Sequence, residues 1–237
     1  MNLNIKKAFL SPFSEEKWYL KLIFPIIMAA CNLISTRGLH VPESTVMIVS
    51  LISLVPSIIL SGFFLQFEHN EIHDELPLLP VLNSKVNQYL IYGLNILGIA
   101  LIYAFFMLLL FVIWALFVKL SGPFAIIIGI VVILAILYLC IVLGLALSSY
   151  ADEFKFKDSM SFKRINKLLA KAPAEIFIYI LVATGLVILA SIFNIILLMA
   201  KFTFILAPIY MAIIQLTLVD LKAQVYKVAK SRLVICE

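Results

Sequence analysis

Residues 86–118 read VNQYLIYGLNILGIALIYAFFMLLLFVIWALFV, thirty-three positions without one charged side chain. Beyond Lys119 a second charge-free run, residues 120–151, adds thirty-two more. At ~1.5 Å rise per residue either run exceeds the ~30 Å hydrocarbon core of a bilayer. Working outward, residues 176–200, 44–67 and 202–219 are also free of charge. Residues 22–36 give a shorter run containing Pro25, which becomes adequate if the helix starts near Trp18 and Lys21 snorkels. These are continuous apolar runs rather than short alternating segments, so helices are favoured over a barrel. The reading is all-α: a single transmembrane domain over 1–237, a bundle of six helices at about 18–36, 45–67, 89–118, 123–147, 175–199 and 202–221.

Composition excludes the soluble classes. The 237 residues are 64% hydrophobic and 13% charged, with mean hydropathy +1.15, against about 45–50% and about 25% in globular chains. No polar stretch reaches the roughly 50 residues of a separate soluble domain. The connections set orientation: fifteen Lys and Arg fall on one side, and only Arg37, Lys119 and Lys201 on the other. The positive-inside rule then places both termini in the cytoplasm, in the inner or plasma membrane. Trp18, Tyr19, Tyr89, Tyr92 and Tyr150 mark the inner interface, Trp114 and Phe117 the outer. The net charge of +5 follows from this topology and from anionic lipid, so membrane lipids are expected as partners and nucleic acid is not. Glu15, Glu16, Lys17 and Lys21 interrupt any signal-peptide core, and helix 1 is read as a retained anchor. Cys31, Cys140 and Cys236 show no metal or redox spacing, and Cys140 reads as core packing.

Three polar segments remain. Ser14 reads as the cap of helix 1, with Glu15 and Glu16 in its first turn and Phe13 and Trp18 as a hydrophobic staple. Between helices 4 and 5, residues 159–171 read as a short interfacial amphipathic helix. Phe162, Ile165, Leu168 and Leu169 form its lipid face, and Lys163, Arg164, Lys167 and Lys171 a basic face for lipid headgroups or a partner. The 2–3 connection reads as a solvated acidic loop from Glu68 to Glu75. His69 and His73, i and i+4 if helix 2 continues, are the weak metal candidates, since Glu71 stands at the wrong offset for H-E-x-x-H.

No Asp, Glu, Lys, Arg or His lies mid-helix in any span. That argues against proton- or sodium-coupled transport and against hydrolysis at membrane depth, because such residues mark intramembrane function. Neutral polar residues are left: Ser50, Ser53, Ser57 and Ser61 on one face of helix 2, with Asn95, Ser191, Asn194 and Gln215 elsewhere. They serve helix packing, or Ser53, Ser57, Asn95, Ser191, Asn194 and Gln215 line a polar seam. Gly93, Gly98, Gly129 and Gly144 suit close packing without a G-x-x-x-G pair.

Pro12-Phe13-Ser14 with Trp18, Gly62, Glu75-Leu76-Pro77, Tyr150-Ala151-Asp152-Glu153-Phe154 through Phe162, and Pro208 occur in an order that resembles the bacterial and archaeal membrane proteins of domain-of-unknown-function family 4013. Two departures stand out. Leu78-Leu79-Pro80-Val81-Leu82 replaces the family's Trp-acidic cluster, and Gln66 stands where a basic residue is usual. The resemblance implies a six-helix membrane domain and no established activity. The chain is also similar to the membrane domain attached to some glycerophosphodiester phosphodiesterases, whose catalytic part has no counterpart in these residues. The expectation is therefore a non-catalytic membrane protein without cofactor, an accessory or scaffold component or a handler of lipid or small molecules, alone, as a homo-oligomer or with a membrane partner. The alternative is an uncoupled transporter or channel-like protein.

Overall fold

The computed structural model describes residues 3–37, 43–80, 85–118, 122–199 and 203–234, and no strand occurs among them. In chain order the helices are α1 (Ile5–Leu10), α2 (Trp18–Arg37), α3 (Glu43–His73), α4 (Val86–Val118), α5 (Gly122–Glu153), α6 (Phe156–Ser159), α7 (Phe162–Lys171), α8 (Pro173–Met199) and α9 (Thr203–Val234). Among the described residues four helices are long and apolar enough to cross a membrane: Val86–Val118, Ile126–Glu153, Pro173–Leu197 and Leu206–Val234. Their outward faces expose large apolar side chains such as Leu101, Phe105, Leu108, Ile126, Leu134, Phe177 and Leu189. Such a surface would be an aggregation site in water and is stable only in lipid. The chain is a multi-pass membrane protein.

Two interlocking triangles of helices build the bundle. α2, α3 and α9 pack on one another, as do α3, α4 and α5, so α3 belongs to both. The α3–α4 contact is the closest. A Cβ on Gly62 would lie 1.8 Å from the Tyr89 carbonyl oxygen, and one on Gly93 1.9 Å from that of Ile58. Each glycine therefore presents a Cα–H to the other helix's backbone, a contact only glycine permits. Helix α8 stands apart: it packs on α9 and, at its start, on α7. Among the described residues no Cα of α8 comes within 8 Å of one on α5.

The polar end of the bundle differs from the expectation. α3, α5 and α9 continue as helix past the hydrophobic runs, to His73, Glu153 and Val234. Glu68, Asn70 and Glu71 are consequently buried rather than part of a solvated acidic loop. Between α5 and α8, where residues 159–171 were expected to form an interfacial helix, the chain forms α7, with the Ser161 hydroxyl accepting from Arg164 N at 3.4 Å. Two residues of its apolar face point into the protein, while Phe162 stays exposed. Ile165 and Leu168 are buried in a core with Tyr103, Val142, Tyr150 and Tyr226, because α5 and α9 offer that face a protein partner.

The N-terminal expectation also needs correction. Ser14 donates to Ser11 O at 2.8 Å within the turn that follows Ser11–Phe13, and α2 starts only at Trp18, after Lys17 at φ 59°. Glu15 instead pairs with Lys21 and accepts from Leu79 N at 2.9 Å. Phe13 and Trp18 do meet, edge to face with centroids 5.0 Å apart.

Candidate functional site

At the polar end, the last turn of α5 carries a carboxylate with no exposed side-chain surface, Asp152. Ionised carboxylates are tolerated inside protein only when paired and hydrogen-bonded. Four side chains from three helices meet that need. Lys230 of α9 donates to both oxygens at 2.7 Å, and Tyr226, one turn earlier, donates to Oδ2 at 3.0 Å. His73 of α3 brings Nε2 to 3.2 Å from Oδ1, and Arg164 of α7 stands 3.8 Å from Oδ2 while also pairing with Glu153 and Asp158. Asp152 thus ties α3, α5, α7 and α9 into one cap.

The two histidines share a face, as i and i+4 on a continued helix must, with ring centroids 4.5 Å apart. Their work is at the C-terminus of α5. His69 Nδ1 is 2.6 Å from Ala151 O, and His73 Nε2 is 2.9 Å from Asp152 O. The last carbonyls of a helix lack intrahelical partners and carry partial negative charge, so imidazoles fit there as caps. Among the described residues no group of three or more His, Cys, Asp or Glu is disposed to hold a metal. Helix α5 then stops because Phe154 turns left-handed at φ 52°, its N–H donating to Tyr150 O at 2.7 Å. That backbone is disfavoured for phenylalanine. Stacking of its ring on Tyr92, with centroids 4.2 Å apart and planes 9° off parallel, holds it in place.

Beneath this cap lies a cavity of about 400 Å³ in the gap that α5 and α8 leave between them. Leu137, Cys140, Ile141, Gly144 and Leu145 form one wall, Ile176, Tyr179 and Ile180 the other, and Lys222 and Val225 of α9 the floor. Nothing lies within 4 Å of the Cβ position of Gly144, so that glycine leaves a notch in the wall. Cys140 is an exposed thiol on this wall, not core packing, because α8 does not close over it. The polar group in the floor is satisfied: Lys222 Nζ is 2.8 Å from Glu68 Oε2, and Ser148 Oγ donates to Glu68 Oε1 at 2.6 Å. The site is an apolar slot with one tethered cation and one phenol at its polar end, which suits an acyl chain and its head.

A second concavity, about 300 Å³, is lined by Ser161, Lys163, Arg164, Lys167 and Leu233. Lys163 and Lys167 are exposed there, Arg164 turns inward to the acidic end of α5, and Lys171 is half-buried. Four residues of the expected basic face are thus divided between surface and ion pairs.

The structure does not gather the polar residues of the spans into one seam. Asn95 donates to the Tyr150 hydroxyl at 2.7 Å, joining α4 to α5. Ser191 donates to Val187 O at 2.8 Å on an exposed face of α8, and Ser61 to Ser57 O at 2.8 Å within α3. α4 and α8 make no packing contact among the described residues, so Asn95 cannot join Ser191 and Asn194. Gln215, on α9, is half-buried. The side chains of Ser50 and Ser53, like those of Cys31 and Cys236, lie outside the described residues. Sequence reading passed over Asp152, Glu68, Tyr226 and Lys230 as sites. The available signal was helical spacing: Tyr226 and Lys230 are i and i+4, and Glu68 and His69 continue the helix that ends at His73.

A family model described as a protein of unknown function, DUF4013, matches residues 45–199. The chain belongs to DUF4013. No curated protein and no solved structure matches it. The DUF4013 segment takes in Gly62, Glu68, His73, Gly93, Asp152 and Arg164 and both walls of the crevice. Lys222, Tyr226 and Lys230, which complete the floor and the cap, lie on α9 beyond it.

Proposed function

We propose that this DUF4013 protein is a non-catalytic lipid-handling protein of the cell membrane that holds one acyl chain in the crevice between α5, α8 and α9. It crosses the bilayer six times, α2 and α3 joining the four apolar helices, with both termini in the cytoplasm. The fifteen-to-three division of Lys and Arg supports that orientation. The charge-free run 44–67 and the length of α3 support the extra spans. α7, with Lys163 and Lys167 exposed, then sits at the inner headgroup level. The observation that carries the reading is the crevice itself: it is apolar and laterally bounded by helices that face lipid. In a bilayer the molecule at hand to fill it is a lipid, headgroup toward Lys222 and Tyr179. The ionisable groups above it are engaged with one another, which favours a structural cap over a reaction centre.

The test uses the notch. Gly144→Phe fills the crevice from a position with open space around its Cβ, so the fold tolerates it. Full-length protein purified in mild detergent is expected to retain a stoichiometric phospholipid by native mass spectrometry, and Gly144→Phe to lose it at unchanged thermal stability. In a Cys31→Ser, Cys236→Ser background, added phospholipid is expected to slow maleimide labelling of Cys140. Equal lipid retention by wild type and Gly144→Phe would reject the proposal.

A further inference from the structure

The hollow between α7 and the end of α9 has a chemistry opposite to that of the acyl crevice. Its volume is about 300 Å³, and its lining of Ser161, Lys163, Arg164, Lys167 and Leu233 holds three cations, one hydroxyl and no carboxylate. Helical spacing gathers the lysines: Lys163 and Lys167 are i and i+4 on α7, one turn apart on one face. Burial of Ile165 and Leu168 on the opposite face turns both lysines to the surface. Like charges at this spacing repel each other, and an anion between them relieves the repulsion.

Arg164 is placed differently. Its guanidinium is held from within by Glu153 at 3.3 Å, Asp158 at 3.4 Å and Asp152 at 3.8 Å. Those carboxylates fix the arginine and offset its charge, although Lys155 and Lys230 share two of them. Lys163 pairs with no carboxylate among the described residues, so the hollow keeps a positive charge to be met. The Ser161 hydroxyl accepts from Arg164 N, which leaves its own proton to donate. Ammonium point charges beside a hydroxyl donor suit a compact anion with several oxygens.

The surroundings say where that anion comes from. Phe162, between Ser161 and Lys163 in sequence, is exposed, and its ring centroid lies 5.6 Å from that of Tyr103 and 6.3 Å from that of Phe106. Phe106 belongs with Phe105 and Leu109 to the exposed apolar face of α4, which is stable only in lipid. The basic hollow thus borders hydrocarbon, where a bilayer places its phosphates.

We propose that this hollow binds the phosphate of an anionic phospholipid, with Lys163 and Lys167 on the phosphate oxygens, the Ser161 hydroxyl donating beside them, and the acyl chains along Phe162 and α4. The site is separate from the α5–α8 crevice and does not depend on its occupancy. A phosphate monoester matches the donors best, because it carries more charge and one more terminal oxygen than a diester. A phosphocholine head cancels the charge that the lysines meet.

The experiment titrates full-length protein in nonionic detergent with dioctanoyl phosphatidic acid by isothermal titration calorimetry. Each lysine supplies a charge-assisted hydrogen bond worth about tenfold in affinity, so the Lys163→Ala, Lys167→Ala double variant is expected to bind at least about tenfold more weakly than wild type. Lys6→Ala, Lys157→Ala removes the same charge from exposed positions elsewhere and is expected to bind like the wild type. All four lysines are exposed, so both double variants are expected to keep the thermal midpoint of the wild type without ligand. Inorganic phosphate, having no chains to lay on α4, is expected to displace the lipid only in more than about tenfold excess. Unchanged affinity in Lys163→Ala, Lys167→Ala overturns the proposal, as does equal weakening in the two double variants, which would make the attraction a matter of net charge. Displacement by phosphate at equal concentration overturns the lipid as the ligand. Equal binding of dioctanoyl phosphatidic acid and dioctanoyl phosphatidylcholine by the wild type overturns the proposal whether or not the variants fold. The crevice reading is tested by lipid retention in Gly144→Phe, so the two fail separately.

Discussion

Gly62→Ala and Gly93→Ala each cost at or above the usual ~1–3 kcal/mol of overpacking, read as a drop in the thermal midpoint of purified protein in one fixed detergent. The added methyl of Gly62→Ala would meet the Tyr89 carbonyl at 1.8 Å from oxygen and 2.6 Å from carbon. In Gly93→Ala it would meet the Ile58 carbonyl at 1.9 Å and 2.7 Å. These neighbours are backbone, so no rotamer change relieves the clash and α3 and α4 must separate. Separation of either site opens the other, so the double variant costs less than the two single costs added together. Gly144→Ala and Gly98→Ala are the controls: the first meets nothing within 4 Å and the second only the Phe156 ring at 3.6 Å. Both should leave the midpoint unchanged or raise it, because alanine is the better helix former. Additive costs, or a Gly62→Ala variant as stable as Gly144→Ala, would mean that α3 and α4 are not in this contact.

Asp152→Ala is the second large effect. It removes the acceptor shared by Lys230, Tyr226, Arg164 and His73. Breaking a buried charge cluster from one side costs about 3–5 kcal/mol, since the partners stay behind unpaired. Lys230→Ala should cost less. Its side chain is 40% exposed, and Tyr226, Arg164 and His73 still serve the carboxylate. The same measurement decides between them, supplemented by tryptic cleavage within α7, which Arg164 no longer tethers in Asp152→Ala. If Lys230→Ala proves the more damaging, Asp152 is not the centre of the cap.

The sequence by itself determined the helices. Charge-free runs long enough to span a bilayer require helical backbone throughout, because lipid offers the peptide groups no alternative partner. Hence α4, α5 and α8 lie where residues 89–118, 123–147 and 175–199 place them, and DUF4013 membership was legible in short ordered motifs such as Glu75-Leu76-Pro77 and Tyr150-Ala151-Asp152-Glu153-Phe154. It was less informative past the hydrocarbon limit. There hydropathy changes while the helix does not, so Glu68 to Glu75 looked like a solvated loop, and residues 159–171 looked like an interfacial helix for lipid or a partner. Only the tertiary structure decided that Ile165 and Leu168 face protein, that Gly62 and Gly93 meet across α3 and α4, and that α8 leaves α5 uncovered. Glycine spacing within one helix cannot reveal a partner on another. Nor can the order of charges along a chain say which carboxylate is buried: Asp152 and Glu153 are adjacent in sequence, and the helix turn sends one into the bundle and leaves the other at its surface.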